Sequence, residues 1–136
     1  TDGEKMSKSY DNTIEVFEDP QRQRKQIMRI ATDSRPMEDA KDPETDHLYM
    51  LFSLFGNDAD SEAMADMYRR GGFGYGEVKK QLADAAELFF ATARQRRSEL
   101  ENDRDYVRGV LDEGAQKARS KAAEVLARVQ TACGVG

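Results

Sequence analysis

Cysteine and histidine occur once each, as Cys133 and His47, so the chain cannot close an internal disulfide or assemble a Cys/His zinc cluster. An intracellular compartment is the default for such usage, and no metal site is expected. No run approaches the roughly 20 consecutive apolar residues of a membrane helix, so no membrane partner is expected. The opening Thr1-Asp2-Gly3-Glu4-Lys5 is neither a signal nor a transit peptide, and a cytoplasmic location follows as the expectation. A starting methionine is also lacking, as for a chain that begins partway through a longer protein. Large apolar side chains are scarce: Leu, Ile, Val and Phe number 24 of 136 residues, against 16 Ala, which bury little area. A large self-sufficient core is not expected.

Charge is plentiful but nearly balanced, with 21 Lys and Arg against 26 Asp and Glu. The net charge of -5 is too small to force disorder by self-repulsion. Residues 1–60 carry 8 basic and 14 acidic residues, whereas residues 61–136 carry 13 and 12, so a polyanion-facing surface belongs in the second half.

Apolar periods are helical throughout, without strand-like alternation, repeats or low-complexity tracts. Residues 1–12 read as a polar loop. Asp19-Pro20, an N-cap residue followed by proline at the first helical position, opens a helix over about 20–31 that carries Ile27, Met28 and Ile30. Pro36 and Pro43 mark a connector. Helix resumes near Thr45 with the stripe Leu48, Leu51, Phe52 and Phe55, ended by Gly56-Asn57. Asp60 or Ser61 is expected to cap a third helix bearing Ala63, Met64, Met67 and Tyr68, ended by Gly71-Gly72. A fourth, to about Ser98, aligns Val78, Leu82, Ala86, Phe89 and Ala93, with Leu88 and Phe90 widening the face. Asp103 opens a fifth through Val107, Leu111, Ala115, Ala118, Ala122, Val125 and Val129, and these last two are expected to pair as an antiparallel hairpin. The fold class is mainly α, a small helical bundle of about five helices. Met28, Met37, Met50, Met64 and Met67 read as gap fillers in its core.

The opening loop contains Lys5-Met6-Ser7-Lys8-Ser9. Two ammonium groups, two hydroxyls and a run of main-chain N–H groups on a mobile loop suit a triphosphate, because mobile cations can follow negative charge as it builds on departing pyrophosphate. These five residues match the KMSKS signature of class I aminoacyl-tRNA synthetases, which chance would place in so short a chain less than about once in 10,000. Gly3-Glu4 before it, Tyr10-Asp11-Asn12-Thr13-Ile14 after it, the segment from Tyr68 to Lys80 (YRRGGFGYGEVKK) and Gly114-Ala115-Gln116-Lys117-Ala118-Arg119 extend the similarity nearly end to end. Together they resemble the bacterial tryptophanyl-tRNA synthetases.

The resemblance implies activation of tryptophan by ATP and Mg²⁺ to tryptophanyl-adenylate, then transfer to tRNA(Trp). It implies that Lys5 and Lys8 are catalytic and that Lys5, Met6, Ser7, Lys8 and Ser9 bind ATP. It also implies a division of the chain into residues 1–18, the signature loop and its connection, and residues 19–136, a helical domain of anticodon-binding type. The family's other signature, HIGH-like, has no counterpart around His47, and the Rossmann domain that carries it, with the tryptophan pocket and dimer contacts, is absent from this chain. The chain alone is therefore expected to be inactive, to hold no cofactor tightly and to be monomeric, whereas the complete enzyme is a homodimer. A freestanding helical tRNA-binding or interaction module is the alternative.

Candidate tRNA contacts are Arg69, Arg70, Lys79, Lys80, Arg94, Arg96 and Arg97, although a solvated helix face also accounts for such residues. The glycines from Gly71 to Gly76 do not form a dinucleotide fingerprint, because Glu77 stands where the third glycine is required and no strand precedes them. They are expected to stop a helix and turn the chain, with Phe73 and Tyr75 packed beneath. His47 and Cys133 are given no site role.

Overall fold

The computed structural model describes residues 4–135. Gly3, one of the residues carrying the resemblance, and the outermost positions of the segments 1–18 and 19–136 lie outside the described residues. Among the described residues there are five α-helices and no strand: α1 (Pro20–Met28), α2 (His47–Phe55), α3 (Asp58–Arg70), α4 (Tyr75–Asn102) and α5 (Arg104–Cys133). Short 3-10 turns lie at Lys8–Tyr10 and Pro43–Thr45. The chain divides into two compact units, Thr1–Arg94 and Gln95–Gly136.

Side-chain caps set most helix starts. Asp19 accepts the N–H groups of Gln21 and Arg22, with Pro20 following it, and Asp46 accepts those of Leu48 and Tyr49. The third helix starts earlier than Asp60 or Ser61 would place it. Gly56 and Asn57 are both extended, and the Asn57 side chain accepts the Asp60 N–H at 2.9 Å, so Asp60 lies inside the first turn. The first helix stops at Met28, not near residue 31, but Ile30 is still buried.

In the first unit, Ile27 and Ile30, Leu48 and Phe52 of α2, Met64 and Tyr68 of α3, Phe73, and Val78, Leu82, Ala83 and Ala86 of α4 form one core. The α4 face is buried only as far as Ala86. Leu88 and Phe89 are exposed, as is Ala93, although the rings of Phe55, Phe89 and Phe90 meet at centroid distances of 5.0–5.4 Å. Met64 fills the core and Met67 packs against it, whereas Met28, Met37 and Met50 are exposed and fill no gap.

The second unit contains the end of α4, Asp103, whose side chain accepts the Tyr106 N–H, and α5. The buried apolar face expected of the fifth helix is not found: α5 buries none of its residues. At about 1.5 Å per residue, the helical residues 95–102 span some 12 Å, too little to cover a helix of about 45 Å. Local terms hold α5 instead. Lys117–Glu113 and Lys121–Glu124 pair at 2.7 and 2.8 Å, and Gly134, at φ 67°, closes its end. No described helix is long and apolar enough to cross a membrane.

Two phenols tie the first unit to its connector. Tyr68 donates to Asp46 Oδ1 at 3.0 Å and Tyr75 to Asp33 Oδ1 at 2.8 Å. Burial, followed by the neighbouring carboxylates, raises both phenol pKa values well above the ordinary range. The native state therefore keeps both protons where the unfolded chain, titrating near pH ~10, loses them. Stability from these groups is full below about pH 10 and is lost as pH rises toward the folded values. Urea midpoints should fall between pH 8 and pH 11, and the double variant Tyr68→Phe, Tyr75→Phe should flatten that fall. An equal fall in the double variant would contradict the assignment.

Candidate functional site: a braced lysine loop

The segment from Glu4 to Asp11 is held by its own hydrogen bonds. The Tyr10 N–H donates to the Ser7 carbonyl at 3.0 Å and the Asp11 N–H to that of Lys8 at 3.3 Å, winding a single 3-10 turn. Asp11 then adopts φ 51°, a left-handed conformation that Asp tolerates better than most residues, and the chain reverses. The reversal brings Asn12, 4% exposed, beneath the start of the loop, where its Oδ1 accepts the Ser7 N–H at 2.7 Å and its Nδ2 donates to the Lys5 carbonyl at 3.4 Å. The Ser7 and Ser9 hydroxyls lie 2.8 Å apart.

Lys5 and Lys8 are exposed, and among the described residues neither ammonium pairs with a carboxylate. A turn that keeps two cations solvated, beside two hydroxyls and main-chain donors, can receive a polyanion without first breaking an internal ion pair. The stem of the loop is anchored to the helices. Ile14 packs against the core, and the buried Gln23 of α1 donates through Nε2 to the Glu15 carbonyl at 3.0 Å. From α4, Arg94 donates to the Val16 carbonyl at 3.2 Å and to Gln23 Oε1 at 2.6 Å.

Arg94 thus has a structural task that its sequence context conceals, its half-buried guanidinium donating to protein acceptors. The other candidate tRNA contacts each have their own local surroundings. Arg69 pairs with Asp66 at 3.0 Å and Glu62 at 3.7 Å, and Arg70 donates to the Asp66 carbonyl. Lys79 donates to the Met28 carbonyl at 3.4 Å, while Lys80 is exposed with no ion partner among the described residues. In the second unit Arg96 pairs with Glu99 at 3.0 Å and Arg97 with Glu101 at 2.7 Å. Exposed pairs of this kind are weakened by solvent, so a phosphate can displace the carboxylates at little cost.

Asn12, Gln23 and the buried Lys41 were not marked by the sequence. Lys41 Nζ donates to the carbonyls of Pro36, Met37 and Asp39 and lies 4.5 Å from the Phe73 ring centroid, so it organises the connector. The glycine segment does turn the chain: Gly71 and Gly72 have φ of 70° and 80°, and Phe73 is buried beneath them. His47 begins α2 and is exposed, and Cys133 ends α5 as an exposed free thiol. Among the described residues no three His, Cys, Asp or Glu side chains converge as a metal site.

Comparison with known proteins agrees with this helical fold. The family described as tRNA synthetases class I (W and Y) matches residues 1–91. The tryptophan–tRNA ligase of Rhodopirellula baltica is 57% identical over 135 residues, 99% of this chain and 42% of the relative. That of Fusobacterium nucleatum is 41% identical, over 99% of this chain and 41% of its own length. A crystal structure of Campylobacter jejuni tryptophanyl-tRNA synthetase complexed with ADP and tryptophane superposes with a TM-score of 0.87 at 37% identity, covering 98% of this chain and 42% of that one. This chain therefore spans about two fifths of the length of these relatives. With its family pattern matched over two thirds of its length and its helices superposing on a solved member, the chain belongs to the class I tRNA synthetases of the tryptophan and tyrosine family.

Proposed function

We propose that the chain is the C-terminal part of a cytoplasmic tryptophan–tRNA ligase, in which residues 1–18 supply the ATP-phosphate loop and residues 19–136 the tRNA-contacting helical domain. The observation that carries this reading is the Lys5–Ser9 turn, which holds two exposed ammonium groups without ion partners among the described residues. The relatives named above support tryptophan as the amino acid, and the Campylobacter jejuni protein's ADP and tryptophane support an adenine nucleotide beside it.

In the complete enzyme the tryptophan carboxylate attacks the α-phosphorus of ATP, whose Mg²⁺ arrives with the substrate. The bond from the α-phosphorus to the bridging oxygen breaks, and the electron pair leaves on pyrophosphate. Charge therefore grows on the β- and γ-phosphates as the reaction advances. Lys5 and Lys8, with the serine hydroxyls and loop N–H groups, stabilise that charge as the loop closes over it. The adenylate then passes its aminoacyl group to the terminal ribose hydroxyl of tRNA(Trp), releasing AMP. Exposed Arg69, Arg70, Lys80, Arg96 and Arg97, with the half-buried Lys79, meet tRNA phosphates, giving salt-dependent binding without base specificity. The remainder of the protein supplies the tryptophan pocket, the HIGH-like motif and the dimer contacts, and this chain alone is monomeric.

The isolated chain should show no tryptophan-dependent exchange of pyrophosphate into ATP. Its loop offers ammonium, hydroxyl and main-chain N–H groups to phosphates but, among the described residues, no pocket for adenine, ribose or tryptophan. Exchange activity in the pure chain would overturn this division of labour.

A further inference from the structure

The signature residues are exposed apart from the half-buried Ser7, yet the residue that shapes their loop is buried and lies outside the signature. Asn12 reaches both the Lys5 carbonyl and the Ser7 N–H, two groups that flank Met6 along one edge of the main chain. A carboxamide that accepts from one and donates to the other pairs with that edge as a neighbouring strand would. Asp could accept but not donate, and Gln would overshoot by a methylene. The grip is made possible by the left-handed Asp11, which folds Asn12 back under the turn at Lys8–Tyr10.

We propose that Asn12 is a positioning residue for adenylate formation: by clamping the main chain at residues 5 and 7 it sets where the Lys5 and Lys8 ammonium groups stand when the triphosphate arrives. The inference rests on the loop reading above and adds to it a residue that does not touch substrate. Preorganisation is what the clamp contributes, since a free loop must be ordered during the reaction, and a misplacement of about 1 Å can cost roughly 10²-fold in rate.

The test is single-turnover tryptophanyl-adenylate formation at saturating ATP and tryptophan in the complete synthetase carrying this segment. The variants are Asn12→Ala, the similar-sized Asn12→Leu, Lys8→Ala and the double variant Asn12→Ala, Lys8→Ala. Tryptophan affinity and thermal melting are measured in parallel, and exchange of the Ser7 amide is followed by NMR in the chain itself.

Asn12→Ala and Asn12→Leu should each slow the reaction about 10- to 100-fold with tryptophan affinity and melting unchanged, and should unprotect the Ser7 amide. The double variant should be little slower than Lys8→Ala alone, because a clamp acting through Lys8 has nothing left to position. A slow Lys8→Ala beside a normal Asn12→Ala would overturn the clamp and leave the loop reading standing. Strictly multiplicative losses in the double variant would likewise reduce Asn12 to general stabilisation and overturn the proposal. Normal rates in all three single variants would overturn the loop reading and the clamp together.

Discussion

Lys8→Ala in the complete synthetase is expected to slow tryptophanyl-adenylate formation about 10²–10³-fold, equivalent to roughly 3–4 kcal/mol of transition-state stabilisation. ATP binding should weaken far less. The ammonium is exposed and among the described residues pairs with no carboxylate, so in the proposed role it would meet the triphosphate without leaving a protein partner, and its interaction would strengthen as charge moves onto pyrophosphate. Lys8→Arg should rescue only in part, because a planar guanidinium on a different stem does not present the same point charge. Lys5→Ala should act in the same direction, and the two losses should not add if the loop closes as a unit. A Lys8→Ala enzyme that turns over at the normal rate, or whose defect is confined to ATP affinity, would remove the transition-state role.

The second large effect is on folding. Gly71→Ala should destabilise the chain by roughly 2–6 kcal/mol, from backbone strain and overpacking together. At φ 70° and ψ -163° the residue occupies a region favoured only by glycine, and an added Cβ would lie 2.5 Å from the Glu38 carbonyl oxygen and 2.8 Å from the Asp39 carbonyl. These obstacles are main chain, held by the Gly72 N–H bond to the Met37 carbonyl at 2.8 Å, so they cannot swing away. Gly72→Ala provides the comparison. It shares a positive φ of 80° but has nothing within 4 Å of its added Cβ, so only strain of about 1–2 kcal/mol applies. Urea unfolding followed by circular dichroism should rank Gly71→Ala well below Gly72→Ala, and equal midpoints would show that the connector yields.

Features governed by local chemistry were readable from the amino acids. Asp19-Pro20 starts α1, Gly71-Gly72 ends α3, Asp103 caps α5, and the paired lysines and serines mark the loop, because each depends on residues a few positions apart. The start of α3 is ambiguous in the sequence because Asn57, Asp58, Asp60 and Ser61 are all competent caps, and only the backbone conformation selects Asn57. The apolar period of α5 identifies a helix but says nothing of what covers it, and no residue of α5 is buried.

Long-range hydrogen bonds leave still less trace. Arg94 and Gln23 are 71 positions apart, and an arginine among helix charges looks the same whether it meets solvent, phosphate or, as here, the carbonyl of Val16. Asn12 is one polar residue among many in a polar loop. Its burial follows from the left-handed Asp11, a conformation with no fixed sequence mark outside glycine.

In the proposed function this chain supplies the phosphate loop of a tryptophan-activating enzyme. That role is tested most directly by replacing the aligned 135 residues of the Rhodopirellula baltica tryptophan–tRNA ligase with this chain and measuring amino-acid-dependent exchange of pyrophosphate into ATP. The hybrid should exchange with tryptophan and not with tyrosine, and Lys8→Ala in the hybrid should abolish most of that exchange. A folded hybrid that does not exchange with tryptophan, or one indifferent to the loss of Lys8, would contradict the account.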